Sequence, residues 1–170
     1  MSEQEKTFPL PDVAQIAFVV KNVEETAANF TKKFGCKPWH FYTYGDPLVK
    51  KMTRNGQPTK YKMKIALGYM GNMRIELIEP LEGDTVYTEF IEKHGYGIHH
   101  LGVLTDNMAE SLESAEAAGL KMSMDGAGFG PDGDGHYAYL DTEELIGTTI
   151  ELIERPKRRH APEKIYPETD

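Results

Sequence analysis

The same five residues occur twice in this chain, and each copy centres a glutamate in an apolar stretch. Ile75-Glu76-Leu77-Ile78-Glu79 and Ile150-Glu151-Leu152-Ile153-Glu154 are identical, and a proline follows each copy closely. In an extended strand Glu151 faces the side opposite to Ile150 and Leu152. A carboxylate in an apolar strand is costly to bury unless a partner such as a bound cation stabilises it. Half-exposed strands with solvated glutamates are the alternative for one copy, but the duplication favours a pair of functional carboxylates.

The rest of the chain repeats around these two copies. The stretch 15–19, followed by a helix that ends at Gly35, corresponds to 100–104, followed by a helix that ends at Gly119. Each half has the order strand–helix–strand–strand–strand, which is an internal repeat of long period. We therefore predict an α+β fold of two tandem βαβββ modules that form a concave mixed sheet with the helices outside. The predicted divisions are a flexible lead 1–11, a first module 12–82, a connecting helix 83–97, a second module 98–155 and a C-terminal tail 156–170.

The repeat predicts a set of four convergent side chains. By position Gln15 corresponds to His100 and Glu76 to Glu151, and strand alternation directs all four into one cleft. An amide oxygen, an imidazole and two carboxylates suit a borderline divalent ion such as Zn, Ni, Co or Mn, whereas imidazole disfavours Ca. We predict that Gln15, Glu76, His100 and Glu151 bind one such ion, which acts as a Lewis acid on substrate oxygen. Glu151 or Glu76 is the candidate catalytic base.

Composition and charge argue against several other classes of function. The chain has 170 residues and a net charge of −8, which fits one domain or two small fused halves and argues against a nucleic-acid partner. Cys36 is the only cysteine, so neither an intrachain disulfide nor a thiolate metal cluster is expected. We find neither a signal-peptide apolar region nor a run that approaches a membrane span. We therefore expect a cytoplasmic protein that binds a small-molecule substrate and does not bind a membrane.

Across roughly residues 12–155 the chain resembles the vicinal oxygen chelate (glyoxalase-like) superfamily. Within that superfamily it looks most similar to methylmalonyl-CoA epimerases, because a Glu-Leu strand, a Pro-Leu pair, a helical connection and a Gly-x-His-His strand follow in this order. The resemblance implies paired βαβββ modules, a homodimer, and metal ligands on the first and fourth strand of each module. The stretches that carry it are Gln15–Val20, Met73–Leu81, Gly97–Val103 and Gly147–Leu152.

Departures from the family pattern leave more than one type of reaction compatible with the sequence. Epimerases and bacterial-type glyoxalases usually have His where Gln15 stands, and the Gln, Glu, His, Glu set resembles the zinc site of animal-type glyoxalase I. The absence of that first His disfavours an extradiol dioxygenase. The second carboxylate base of epimerases has no counterpart in the stretch 59–61, Thr-Lys-Tyr. Arginines that would grip glutathione are not identifiable from the sequence.

The predicted function is therefore stated as a class with alternatives. We expect a metal-dependent isomerase or epimerase that abstracts a proton alpha to a carbonyl, acting on an acyl-CoA-like thioester or a related small oxygen-chelating substrate. The first alternative is a glyoxalase I-type lactoylglutathione lyase. The second is a metal-free protein of the same fold that binds a small molecule such as an antibiotic in the cleft.

Further residues are candidates for the substrate pocket or its cover. His99 should point to the face opposite to His100. The stretch 45–60 is predicted to be a long loop, 125–135 a glycine-rich loop that can act as a lid, and 141–147 a turn. The tail is expected on the surface, where the basic residues 157–159 either contact a coenzyme A phosphate or are solvated. The substrate-binding candidates, each with core packing or solvent exposure as the alternative, are Trp39, Phe41, Tyr61, Tyr69 and His136.

Overall fold

The computed structural model describes residues 6–168, so the first five residues of the predicted flexible lead lie outside the described residues. Within this range the strands form one sheet. The strands are β1 (Val13–Val19), β2 (Trp39–Tyr44), β3 (Lys51–Arg54), β4 (Gln57–Pro58), β5 (Lys62–Met70), β6 (Met73–Glu82), β7 (Gly97–Leu104), β8 (Met122–Ala127), β9 (His136–Leu140), β10 (Thr149–Glu154) and β11 (Lys164–Tyr166). The helices are α1 (Val23–Phe34), α2 (Val86–His94), α3 (Met108–Ala117) and α4 (Glu143–Ile146).

Two sets of four strands share one topology. One set has the order β2-β5-β6-β1 and the other the order β8-β9-β10-β7. In each set the first and last strands in sequence pair parallel, β1 with β6 and β7 with β10, and the other neighbours pair antiparallel. The sets join edge to edge through the antiparallel pair β1–β7. The predicted fold of two tandem βαβββ modules in a mixed sheet is therefore confirmed.

Helices α1 and α3 cover the outer face of the sheet. The N-cap side chain of Asn22 accepts a hydrogen bond from the Glu25 nitrogen at 2.8 Å, and Gly35 ends α1 with a φ of 72°, a conformation that glycine adopts without strain. The apolar side of α1 packs on Ile75 and Leu77 of β6, and α3 packs on Ile150 and Leu152 of β10 in the same way. The apolar residues of the two pentapeptides thus hold the helices, and burial of such side chains stabilises the fold by about 1.5–3 kcal/mol each.

A third apolar cluster lies on the inner face and joins the two modules. It combines Ala17 and Ile65 from the first module with Met124 and Tyr139 from the second, and helix α2 contributes Tyr87. Helix α2 lies within the connection 83–97, for which the sequence predicted a helix. Among the described residues, no helix has the length and apolarity needed to span a membrane.

The predicted loops contain regular structure that the sequence analysis missed. The predicted loop 45–60 contains the β3–β4 hairpin, whose turn is Asn55-Gly56 with φ values of 50° and 76°. This is the Asn-Gly signal of a two-residue hairpin, and β3 then pairs with β8 of the second module. Strand β8 also includes the first three residues of the predicted glycine loop 125–135. The predicted turn 141–147 contains α4, and the tail contributes β11, which pairs with β2.

Candidate functional site

The four predicted metal ligands meet where the two modules join. They project from four adjacent strands at the centre of the sheet: Gln15 from β1, Glu76 from β6, His100 from β7 and Glu151 from β10. The backbone register aligns them, because Ala17 lies opposite both Glu76 and His100, and Gly102 lies opposite both Gln15 and Glu151. All four side chains are buried. The pairing of the two modules therefore brings together residues that lie up to 136 positions apart.

Three of these residues can offer ligand atoms to one ion. A carboxylate oxygen of Glu76, one of Glu151 and a ring nitrogen of His100 all lie within 4.8 Å of one another. His100 Nε2 is 3.0 Å from Glu151 Oε2 and 3.5 Å from Glu76 Oε2. Two anionic oxygens and an imidazole are a donor set that divalent transition metals accept. The three side chains thus fit a metal ion by donor type and by mutual distance.

Gln15 takes part in the cluster through its nitrogen. Its Nε2 donates to Glu76 Oε2 at 2.9 Å and to Glu151 Oε2 at 3.0 Å. Its Oε1 accepts a hydrogen bond from Arg74 Nε at 2.7 Å, which sets the orientation of the amide. Coordination through Oε1 would require the amide to rotate away from Arg74, so the assignment of Gln15 as a metal ligand stays a prediction.

A β-bulge at His99 aims the imidazole of His100. The pairing of β1 with β7 passes from Ala17–His100 directly to Phe18–Ile98, so His99 is an extra residue. Bulges re-aim side chains in this way. His99 therefore does not point away from His100 as predicted from simple alternation, and the two Nδ1 atoms are 2.8 Å apart in a hydrogen bond. Because its Nδ1 is hydrogen-bonded, His100 directs Nε2 toward the two glutamates. Metal-binding histidines are often oriented in this way by a partner on their other ring nitrogen.

Burial and charge set the protonation of the cluster. Burial alone would lower the pKa of His100, but the carboxylates of Glu151 and Glu76 raise it to about 9. Burial raises the pKa of Glu151 above its usual value, and His100 opposes that shift. The negative charge of the two carboxylates therefore favours a positive charge beside the imidazole nitrogen, which is the electrostatic condition for binding either a proton or a metal cation there.

A narrow cavity opens over the cluster. Its base is formed by Gln15, Glu76 and Glu151, and two arginines, Arg74 and Arg159, also line it. The apolar part of the lining comes from both modules and consists of Tyr44, Met63, Ile65, Leu67, Phe129, Tyr137, Tyr139 and Ile153. A concave, largely apolar space with a few convergent polar groups is the usual form of a small-molecule site.

The described residues that line this cavity include none of the five predicted substrate-binding residues. Trp39 and Phe41 lie in the outer cluster under α1, because alternation on β2 sends Tyr42 and Tyr44 to the inner face instead. Tyr61 is buried on the inner face, where its hydroxyl donates to the Asp125 carbonyl oxygen.

The remaining two candidates also lie elsewhere. Tyr69 is exposed near the end of the β5–β6 hairpin. His136 is hydrogen-bonded through Nε2 to Asp125 Oδ2 at 2.7 Å. None of the five residues therefore lines this cavity, where Tyr44 and Phe129 provide the aromatic walls, and their role in substrate binding stays a prediction.

Arg74 is the site residue that the sequence analysis missed. It stands two positions before Glu76 on β6, so alternation alone places both side chains on the cavity face. The matching position of the second module is Thr149, which carries no charge. Because the site was predicted from residues that match between the modules, Arg74 was not included. A charged residue in register with a predicted ligand was the available signal.

Two paired βαβββ modules form a curled sheet, and a buried carboxylate–imidazole group lies at their junction. Comparison with known protein families identifies the class of protein to which this arrangement belongs. The family model of the Glyoxalase/Bleomycin resistance protein/Dioxygenase superfamily matches residues 14–139. The chain belongs to this superfamily, as the resemblance of its motifs predicted.

Individual relatives are distant. The uncharacterised protein YqjC of Bacillus subtilis is 29% identical over 99 residues, which cover 58% of this chain and 70% of that protein. The mitochondrial methylmalonyl-CoA epimerase of Mus musculus is 24% identical over 110 residues, or 64% of this chain. That match spans 61% of the mouse protein, which is less than two thirds of its length.

Solved structures of epimerases share the fold. A variant of the Streptomyces coelicolor methylmalonyl-CoA epimerase, in complex with 2-nitronate-propionyl-CoA, matches with a TM-score of 0.62 at 18% identity and covers 85% of this chain and 97% of that chain. The Mycobacterium tuberculosis epimerase matches with a TM-score of 0.61 at 16% identity and covers 92% and 95%. At these identities the comparison concerns the fold.

Proposed function

We propose that this chain is a metal-dependent isomerase or epimerase that removes a proton alpha to the carbonyl of an acyl-CoA-like thioester. The observation that carries the proposal is the convergence of Glu76, His100 and Glu151 beneath a cavity whose walls are largely apolar. The similarity to epimerases supports the choice of thioester substrates, and membership of the superfamily supports an enzyme that uses vicinal substrate oxygens.

The residues of the site have two proposed roles, binding of the metal ion and transfer of the proton. Glu76, His100 and Glu151 would hold one divalent ion, for which we propose Zn, Ni, Co or Mn. When bound, that ion supplies Lewis acidity to the substrate oxygen on which negative charge develops. The apolar lining of the cavity excludes water from the reacting carbon, which strengthens electrostatic interactions within the site.

Glu151 is the proposed base. Its carboxylate lines the cavity and is buried, and the resulting rise of its pKa makes it a stronger base than a solvated carboxylate. Glu76 lines the same cavity from the first module and is the second candidate for moving the proton. An epimerase returns the proton to either face of the planar intermediate, and two carboxylates on adjoining modules are the groups available for it.

Exchange of the alpha proton with solvent tests the proposal directly. Chelator-treated protein is supplied with Zn, Ni, Co or Mn in D₂O and mixed with 2-substituted acyl-CoA thioesters, and deuterium at C2 is followed by mass spectrometry. The hemithioacetal of glutathione and methylglyoxal forms a second arm. We expect metal-dependent exchange of a thioester, and we expect Glu151→Gln to reduce it by about 10²-fold or more.

The matched control is Glu154→Gln, which changes the other glutamate of the same pentapeptide. Glu154 faces α3 rather than the cavity and accepts a hydrogen bond from the Met108 nitrogen. The Glu154→Gln variant should therefore exchange the alpha proton at nearly the wild-type rate. Turnover of the glutathione adduct alone would assign the lyase alternative. A protein that exchanges none of the substrates and binds a ligand equally well with and without chelator would be the metal-free binding protein.

A further inference from the structure

His99 is a buried imidazole that lies between helix α2 and the candidate metal ligand His100. Only 3% of it is exposed, and its ring packs edge-on against Tyr87 and Phe90 of α2, with ring centroids 5.4 and 5.1 Å apart. The ring of Tyr139 on β9 lies 6.0 Å from it. Three aromatic rings therefore restrict the orientation of the His99 imidazole.

The ring of His99 has polar contacts to two different partners. Its Nδ1 is 2.8 Å from His100 Nδ1 in a hydrogen bond, so a single proton lies between these two nitrogens. Burial and the neighbouring His100 lower the pKa of His99, while a hydrogen bond to the backbone of Val86, the first residue of α2, opposes this shift. A backbone contact that favours the protonated ring is one in which a ring N–H donates to the carbonyl oxygen.

These contacts decide which histidine carries the shared proton. The Val86 carbonyl holds a proton on the far nitrogen of the His99 ring. A second proton on that ring would bury a positive charge that has no carboxylate partner among the described residues, which is costly. His99 Nδ1 is therefore the acceptor and His100 Nδ1 the donor. The other nitrogen of His100, Nε2, is thus left to face Glu151 and Glu76 at 3.0 and 3.5 Å, because the hydrogen bond of one ring nitrogen sets the role of the other.

We propose that His99 is a positioning residue through which helix α2 fixes the tautomer and the orientation of His100. The hydrogen-bonded chain Val86–His99–His100 makes the helix that connects the two modules a part of the ligand group. The hydroxyl groups of Tyr87 and Tyr139 are hydrogen-bonded at 2.5 Å, which attaches α2 to the strand beside the cluster. The effect on metal binding rests on the proposed function, whereas the role of His99 as hydrogen-bond acceptor does not.

Nuclear magnetic resonance of the metal-free protein tests the position of the shared proton. Full-length protein with ¹⁵N-labelled histidine rings is treated with chelator, and the coupling between the two Nδ1 nuclei across the hydrogen bond is measured. We expect a proton with one-bond coupling to His100 Nδ1, together with a coupling between that nucleus and His99 Nδ1. A proton bonded to His99 Nδ1, or no coupling between the two nuclei, would overturn the proposal.

Two substitutions at His99 separate the hydrogen bond from the packing of the ring. His99→Phe keeps an aromatic ring but has no acceptor, and His99→Asn loses the ring but places its side-chain oxygen near the position of Nδ1. We expect His99→Phe to weaken Zn and Co binding by about 10–100-fold and to shift the absorption spectrum of bound Co, while His99→Asn binds both ions nearly as wild type does. Urea denaturation should rank the variants in the reverse order, because His99→Asn leaves a cavity among the aromatic rings.

The control variant is His94→Phe, which makes the same substitution at an exposed histidine whose ring also packs on Phe90. It should bind Zn and Co as wild type does.

Each outcome supports or overturns a separate statement. Wild-type metal affinity in His99→Phe, or weaker binding by His99→Asn than by His99→Phe, would show that His99 acts only through packing and would overturn its positioning role. If circular dichroism shows that a variant is unfolded, the coupling measured in wild type still decides. Coupling without binding of any divalent ion would keep His99 as the acceptor and contradict the proposed function, and metal binding without coupling would do the reverse.

Discussion

Glu79 Oε2 accepts a hydrogen bond from the backbone nitrogen of Val23 at 2.9 Å, which joins the end of the first pentapeptide to the first residue of helix α1. The second module repeats this contact, since Glu154 Oε2 accepts from the Met108 nitrogen of α3 at 2.6 Å. The last glutamate of each pentapeptide therefore supports a helix N-terminus, where a negative charge is favourable. The duplicated sequence thus encodes two roles on opposite faces of one strand.

Neutralising the outer glutamates should affect stability and not chemistry. Glu79→Gln and Glu154→Gln each remove a charge at a helix N-terminus, which should lower the free energy of unfolding by about 0.5–2 kcal/mol. Urea denaturation followed by circular dichroism measures this. Glu113→Gln, on the exposed side of α3, is the control and should change stability by less than about 0.5 kcal/mol. A loss of metal affinity in Glu79→Gln would contradict the separation of roles.

Metal affinity should depend on His100 and not on histidines elsewhere. His100→Ala removes one of three convergent ligand atoms, and we expect the affinity for Zn or Mn to fall by about 10²-fold or more. Titration calorimetry and elemental analysis after dialysis measure affinity and stoichiometry. His94→Gln changes an exposed histidine that pairs with Glu143 and should bind one ion as wild type does. Unchanged affinity in His100→Ala would place the metal outside this group.

A single added methyl group should disturb the site without removing any functional group. A Cβ at Gly102 would lie 2.8 Å from Ile153 Cδ1, 3.0 Å from Gln15 Cβ and 3.2 Å from Glu151 Oε2. Gly102→Ala must therefore displace the end of the Ile153 side chain and push Gln15 and Glu151 slightly aside. We expect metal affinity to fall by about tenfold, together with a loss of about 1–3 kcal/mol of stability from overpacking.

A second glycine supplies the control for Gly102. A Cβ at Gly68 would lie 2.7 Å from the Trp39 ring on the outer face of the sheet. Gly68→Ala should therefore lower stability to a similar extent while metal affinity stays near that of wild type. Parallel effects of the two variants on metal affinity would show that global destabilisation, rather than displacement of the ligands, is responsible.

The sequence predicted the centre of the fold because repetition and strand alternation are local and visible. It placed Glu76 and Glu151 on one face and a helix in the connection 83–97, where α2 lies. The bulge at His99 was not predictable in the same way, since it arises from the register of β1 against β7 rather than from either strand alone. Strand β2 has aromatic residues on both faces, so the choice between Trp39 and Tyr44 needed the packing of α1. The β3–β4 hairpin carried an Asn-Gly turn signal that its polar surroundings obscured.

The hairpin inserted in the first module should be anchored to the second by Asp125. The Asp125 carboxylate accepts hydrogen bonds from Thr53 of β3 and from His136 Nε2 of β9. Burial alone would raise the pKa of Asp125, but the hydrogen bonds from His136 and Thr53 lower it below its usual value. Asp125→Asn should therefore cost about 1–3 kcal/mol of stability at neutral pH.

The pH dependence of that cost follows from the lowered pKa. A carboxyl group with a pKa lower in the folded than in the unfolded state stabilises the fold above its unfolded pKa, about 3.9. That contribution is lost as the pH falls through the folded-state value. Urea titrations between pH 7 and 3 should therefore show a difference between wild type and Asp125→Asn that is constant at high pH and shrinks below about pH 4. Asp12→Asn, at an exposed position, should show no such trend, and a wild-type advantage that grows on acidification would refute the assignment, because it would require a raised pKa.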